Sequence, residues 1–286
     1  LRSIEPFFMS AGRFVVAGTI VIALAAWLVR RRGEAVDWRE AWRGSLLPGF
    51  LFFGCGNGST AWAVTRLDTG VTSLIIAGLP FWLALLDRAL YRRRLSPLGW
   101  AGIAVGLGGV ALLAVPGGGS GRIDPWGMIV LIAGGVCWAY GSLRVRSRPS
   151  PVDPLLASGC QMGWGTLFLA LFGVLAGEPW SSGTPSWEGI GAVAYLVVLG
   201  TLVGFLLFAW LMRSAPTPLV STYAFANPVV ALLLGWGVEH EQLGPRTLGA
   251  AVLIVAAVAV IVLAQAREAA RVQRAEAGTA PATLET

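Results

Sequence analysis

Nine long apolar runs, each nearly free of charge, constrain this chain more than any other feature. They cover approximately Phe7–Val29, Leu46–Thr65, Gly70–Leu90, Ser96–Val115, Asp124–Leu143, Pro154–Ala176, Trp187–Met212, Pro216–Gly237 and Pro245–Gln265. A run of 18 or more such residues spans roughly 30 Å of hydrocarbon as a helix. The expected fold class is therefore an all-α integral membrane protein with nine transmembrane helices. Composition agrees: 56% of residues are apolar, 13% are charged and mean hydropathy is +0.71, whereas soluble proteins are about a quarter charged. The first 29 residues lack the basic start and cleavage site of a signal peptide.

Charge sits between the runs. All 21 basic residues are Arg, and the net charge is +6. No basic face with interleaved aromatics exists outside the loops, which argues against nucleic acid. The Arg residues flank apolar spans instead, where lipid headgroups and the insertion machinery read them. One set of connections holds Arg30, Arg31, Arg32, Arg39, Arg43, Arg88, Arg92, Arg93, Arg94, Arg144, Arg146, Arg148, Arg213, Arg267, Arg271 and Arg274. The alternate set holds only Arg2, Arg66, Arg122 and Arg246. Sixteen against four places the first set, and the C-terminus, in the cytoplasm of a multi-pass protein of a bacterial inner (plasma) membrane. Cys55, Cys137 and Cys160 all lie inside apolar runs and read as packing residues.

The two halves match at an offset of 148 residues. Glu5-Pro6 falls on Asp153-Pro154, Ala61-Trp62 on Ala209-Trp210, Ser73 on Ser221, Pro80 on Pro228 and Pro97 on Pro245. Matched loops have opposite charge character, as Arg92-Arg93-Arg94 against His240-Glu241-Gln242 illustrates. Inverted repeats reverse that sign, and inversion needs an odd number of spans per repeat. The second half has five spans and the first has four. The expected organisation is a first repeat over 1–118 lacking its first helix, a second over 119–266, and a polar tail over 267–286. The missing partner of Asp124–Leu143 would precede residue 1, making nine helices of ten.

Several residues carry a family resemblance. Met9-Ser-Ala-Gly-Arg13-Phe14-Val-Val-Ala17 has the small residues, Arg-Phe and Ala of one family helix. Gly78-Leu-Pro80-Phe-Trp82 and Ala226-Asn227-Pro228 match its mid-helix prolines. Gly102 with Gly109, and Gly249 with Ala256, match its spaced small residues. In these features the chain resembles the EamA-type family of the drug/metabolite transporter superfamily. It departs where the family often carries Gly-Glu-Arg: Glu241 fits the second position, but Arg93 stands at the first. The resemblance implies export of small metabolites, amino acids or drug-like solutes by alternating access, through a cavity between the repeats.

Candidate cavity residues follow from polarity and breaks inside spans. Arg13 is the one basic residue well inside a span and must pair or reach water; it is a structural anchor or a solute contact. Gly54-Cys55-Gly56-Asn57-Gly58-Ser59-Thr60 is the least helix-friendly stretch, which either lets helices pack closely or turns Asn57 toward a cavity. Pro80 and Pro228 are the helix-kink candidates, since proline frees the carbonyl four residues back. Trp82, Trp138, Tyr140, Tyr223 and Asn227 complete the candidate lining, each with core packing as its ordinary alternative. Trp62 and Trp210 read as interfacial anchors.

Apart from Asp124 and Glu188 at span starts, Asp87 is the one carboxylate inside a span and is expected to pair locally, which favours facilitated or otherwise-coupled transport over proton coupling. A membrane-embedded enzyme would need an intramembrane base, metal cluster or carboxylate pair. The single His, His240, falls in an outward loop, so no catalytic residue, cofactor or metal is expected. The alternatives are a nucleotide-sugar-type carrier, for which Arg13 alone could meet the phosphate, and a non-transporting membrane subunit. Expected partners are a small-molecule solute and membrane lipid. GxxxG spacings at Gly102–Gly106, Gly159–Gly163 and Gly200–Gly204 suit either internal packing or a homodimer face.

Overall fold

The computed structural model describes residues 5–92, 96–114, 124–148, 150–179, 191, 194–203, 223–237 and 244–278. Every regular element among them is helical. α1 is Pro6–Arg31. One continuous run then comprises α2 (Trp38–Gly49), a π-helical stretch π1 (Phe50–Asn57) and α3 (Gly58–Ala63). α4 (Thr69–Ala77) and α5 (Leu79–Tyr91) are separated at Gly78. α6 (Pro97–Ala114), α7 (Pro125–Ser147) and α8 (Pro154–Leu175) follow. A second π-helical stretch, π2 (Leu196–Val203), precedes α9 (Tyr223–Gly237) and α10 (Pro245–Gly278). Among the described residues five segments are long and apolar enough to cross a bilayer: Pro6–Arg31, Thr69–Tyr91, Pro125–Ser147, Pro154–Leu175 and Pro245–Ala264. The expected spans Trp187–Met212 and Pro216–Gly237 lie partly outside the described residues.

Helix starts follow from local chemistry. Asp124 and Asp153 accept from the backbone N–H of Trp126 (3.1 Å) and Leu155 (2.9 Å), with Pro125 and Pro154 opening the helices. This is ordinary N-capping with proline where no N–H is needed. Glu5-Pro6 repeats the pattern at α1, but the Glu5 side chain makes no cap. Glu178, just beyond α8, caps α1 instead, its two carboxylate oxygens each accepting at 3.2 Å from the N–H of Phe7 and Phe8.

Repeat-equivalent helices pack on one another. α1 with α8, and α6 with α10, form the two most extensive interhelical contacts, and α4 lies against α9. The first two pairs are related by the 148-residue offset; α9 shifted back by it gives 75–89, the end of α4 and most of α5. The pairs whose ends are fixed run antiparallel. The start of α1 meets the end of α8 through Glu178, while Arg32, past the end of α1, meets Asp153 at the start of α8 at 3.3 Å. In the other pair a Cβ at Gly102 would lie 2.7 Å from Ile261 and one at Gly109 would lie 2.7 Å from Ile254. Later residues of α6 thus meet earlier residues of α10, and Arg246 Nε donates to the Leu112 carbonyl at 2.5 Å. Equivalent helices running in opposite directions make the two repeats inverted.

Small residues make these contacts possible. A Cβ on Gly159 would fall 2.6 Å from Ile22 Cγ1 and 3.0 Å from the Ile22 nitrogen. On Gly49 it would fall 2.7 Å from Trp164 Cβ and 2.8 Å from the Gln161 carbonyl oxygen. Gly163 faces Trp42, Gly102 faces Ile261 and Gly106 faces the Phe81 ring. The GxxxG spacings at Gly102–Gly106 and Gly159–Gly163 therefore serve contacts inside the chain. Close approach through glycine strengthens dispersion contacts where lipid supplies no hydrophobic drive between helices. Large apolar side chains such as Trp126, Val252 and Leu263 remain more than half exposed on the outer faces, as a lipid-solvated surface requires.

We predict that Gly49→Ala and Gly159→Ala each destabilise the fold by about 1–3 kcal/mol, the usual cost of overpacking. Gly12→Ala, with nothing within 4 Å of the added carbon, should be neutral. Thermal unfolding of the three variants in detergent checks this; equal midpoints would contradict the packing described.

Candidate functional site

The continuous helix from Trp38 to Ala63 changes winding in mid-course. Pro48 contributes no N–H, and Gly54, Gly56 and Gly58 follow within ten residues. Glycine is a poor helix former and proline cannot complete the ladder, so the α-helical turn widens to π over Phe50–Asn57. Side chains return to the loosened backbone. Asn57 Nδ2 donates to the Phe52 carbonyl (3.3 Å), and the hydroxyls of Ser59 (2.8 Å) and Thr60 (3.0 Å) donate to the Gly56 carbonyl. Polar side chains of this kind make irregular backbone tolerable at membrane depth. In π2, Thr201 Oγ1 likewise donates to the Leu196 carbonyl five residues back, at 3.1 Å. Shifting Phe50–Asn57 by the repeat offset gives 198–205, two residues from π2 at Leu196–Val203. The two repeats thus distort at equivalent places, and π-helical turns inside α-helices recur at functional sites.

Arg13 and Asn57 are brought together. Arg13 Nη2 donates to Asn57 Oδ1 at 3.3 Å, and the guanidinium lies over the Phe14 ring at 4.5 Å. Arg13 Nε is buried without a partner, as is Thr72 Oγ1. Among the described residues Arg13 makes no ion pair. An arginine at mid-membrane costs about 2.5–3.5 kcal/mol to insert. A neutral amide and a ring face offset part of that cost, and Nε is left without an acceptor.

Gly58 and Ser59, next after Asn57 in the chain, line a cavity of about 340 Å³ between the π1–α3 segment and α7; Arg13 and Asn57 are not among its lining residues. Phe7 and Phe172 close one side, Cys55 and Ser59 face in from π1 and α3, and Gly134 and Cys137 face in from α7. Gly134 is there because Ser59 Oγ fills the space its Cβ would take. The lining is apolar with one hydroxyl and two thiols, all three cysteines being free. A larger recess of about 500 Å³, lined by Trp27, Arg30 and Trp38 among others, lies on the outer face of α1. Trp27 is 53% exposed there, so that recess is open to the surroundings of the protein. Among the described residues no group of three or more His, Cys, Asp or Glu could hold a metal.

The remaining sequence candidates divide. Trp138, on α7, packs against π1: a Cβ on Gly56 would lie 2.6 Å from its Cε3, and its ring centroid is 5.1 Å from that of Phe52. Trp82 of α5 covers Gly135 of α7, whose Cβ would lie 3.4 Å from Trp82 Cδ1. Tyr140 is half-buried on the same helix. Pro80 sits in the first turn of α5, just after the break at Gly78, where the N–H of Gly78 bonds to the Ile75 carbonyl at 3.0 Å. α9 runs through Tyr223, Asn227 and Pro228, whose side chains lie outside the described structure. Trp62 lines the cavity and carries the Arg66 guanidinium over its ring at 3.7 Å.

Phe7, Gly134, Phe172 and Glu178 are site or scaffold residues that sequence reasoning did not single out, and Ser59 was named only as part of the Gly54–Thr60 stretch. Gly134 had a usable signal, being small inside a span. Phe7 and Phe172 are indistinguishable in sequence from lipid-facing phenylalanines, and the Glu178 cap joins residues 171 apart.

The comparisons agree with this architecture. The model of the EamA-like transporter family matches residues 1–115 and 125–263. The chain is 32% identical over 264 residues to the uncharacterized inner membrane transporter YedA of Escherichia coli, covering 92% of this chain and 83% of that protein. It is 28% identical over 294 residues to the uncharacterized transporter sll0355 of Synechocystis, covering 96% and 85%. A solved crystal structure, 23% identical, aligns over 93% of this chain and 90% of its own with a TM-score of 0.62, a likeness of fold. With inverted, pairwise-packed repeats and a family match over both halves, this chain belongs to the EamA-like transporter family.

Proposed function

We propose that the protein exports small organic solutes, such as metabolites, amino acids or drug-like amphiphiles, across a bacterial inner membrane by alternating access. The observation that carries this reading is the pair of π-helical stretches at equivalent positions of two inverted repeats. A π turn is a register in which one residue more is wound into the helix, so returning to α register rotates everything beyond it. Two such elements, one per repeat and in opposite orientations, are suited to opening opposite sides of the same cavity in turn. The cavity beside π1 is apolar with a hydroxyl and aromatic walls, which suits a solute with an apolar body. The repeats are taken as 1–118 and 119–266, with the tail over 267–286 in the cytoplasm beside the arginine-rich connections.

Two experiments test this reading. Purified protein in proteoliposomes, loaded with labelled amino acids or dye-like amines, should show saturable efflux of one solute class, with and without a pH gradient; no flux from folded protein would move the reading to a membrane subunit. Gly56→Leu, which drives a side chain into Trp138, should cut that flux at least about tenfold, since more than one methylene is inserted at a packed contact, while Gly12→Leu leaves it unchanged. A C-terminal reporter should be fluorescent as a green fluorescent protein fusion and inactive as an alkaline phosphatase fusion. The reverse pattern would invert the topology.

A further inference from the structure

The Arg13 guanidinium has one buried N–H without an acceptor and one on a neutral amide. Arginine takes a carboxylate through two parallel N–H bonds from one edge of its planar fork, and Nε–H with Nη2 forms such an edge. Here Nη2 donates to Asn57 Oδ1 at 3.3 Å and Nε, although buried, donates to nothing. The guanidinium face is already used by the Phe14 ring at 4.5 Å. The acceptor that Arg13 does have is neutral, long, and mounted on the one stretch of this helix that is wound as π. Asn57 is itself held from the other side, its Nδ2 donating to the Phe52 carbonyl at 3.3 Å. Its next neighbours, Gly58 and Ser59, line the apolar cavity, as does Phe7 from the helix that carries Arg13.

We infer that Arg13 is the anion-recognition residue of the transport site and binds the carboxylate of the solute, with Asn57 as its placeholder. This rests on the transport reading above and adds to it a substrate class: solutes with an apolar or aromatic body and one oxyanion. Moving π1 toward α register carries Asn57 away from Arg13 and frees the Nε–Nη2 edge. A carboxylate arriving there gains two charge-assisted bonds and neutralises the cation. A lipid phosphate shares the chemistry, and the lipid arm below separates the two.

The test uses matched probes, N-acetyl-tryptophan (anion) and N-acetyl-tryptophan amide (neutral), with the full chain in phosphatidylcholine. Flux is measured in proteoliposomes, and binding in nanodiscs by quenching of probe-shifted fluorescence. The anion should be preferred by at least about tenfold, the gain expected of one bidentate charged pair. Arg13→Gln should abolish that preference through KM while leaving the amide unchanged, and Arg13→Lys should retain part of it. Asn57→Ala, which removes the placeholder, should bind the anion more tightly than the parent. Equal losses for anion and amide in Arg13→Gln, or no anion preference in the parent, would make Arg13 a structural anchor and overturn the assignment. Anion binding that is lost on adding phosphatidylglycerol to the nanodiscs would overturn it in favour of a lipid phosphate. Arg13-dependent anion binding without flux of either probe would sustain the site and overturn the transport reading instead.

Discussion

The antiparallel contact between α1 and α8 is the interaction on which the rest of the structure depends. It is held at both ends, by the Glu178 carboxylate on the first N–H groups of α1 and by Arg32 against Asp153 at 3.3 Å. Between those ends Gly18 and Gly159 let the backbones approach, and Phe14, Ala17, Val21 and Leu169 fill the seam. Lipid offers apolar side chains a solvent as good as the protein interior, so specificity comes from close packing and satisfied polar ends. Because α1 and α8 are equivalent helices of the two repeats, their contact also aligns one repeat against the other. The same logic recurs between α6 and α10, where Gly102 and Gly109 admit Ile261 and Ile254.

Against this rigid frame, the π-helical stretches are the irregular elements. Glycine and proline weaken the α register near π1, and asparagine, serine and threonine side chains stabilise the wider one by returning to freed carbonyls. The stretch in which the helix is distorted therefore also brings polarity into the span. Arg13 on the rigid helix meets Asn57 on the irregular one, so a charge that would be costly in lipid is coupled to an element able to change register. Trp138 and the glycines on π1 and α7 set how closely the two segments approach, and with that the size of the cavity.

Sequence and structure agree most closely where the physics is local. Spans such as Pro154–Ala176 appear as helices with nearly the expected limits, because Asp153-Pro154 caps and opens the helix and hydrocarbon obliges the backbone to satisfy itself. The 148-residue repeat was legible in matched prolines, and its inversion in the reversal of loop charge. The sequence offers Pro80 as a kink candidate; the helix break falls at Gly78 and leaves the proline in the next helix's first turn. At the candidate site, Arg13 and Asn57 stood out as polar residues inside apolar spans, yet nothing in one dimension indicated that they share a hydrogen bond 44 residues apart.

The amino-acid sequence by itself determined that the chain is an all-helical membrane protein of two repeats, since run length, charge exclusion and proline spacing act within single segments. Only the tertiary structure decided which helices pair and where the cavity lies. The same holds for the partner of Arg13, and for the choice between inward and outward faces at Gly102–Gly106 and Gly159–Gly163. Helix faces in a membrane carry little hydrophobic contrast, because lipid and core are equally apolar. Which face turns inward is settled by glycine-scale shape fit and by polar contacts between distant residues, such as Glu178 with α1, and those exist only once the helices have packed.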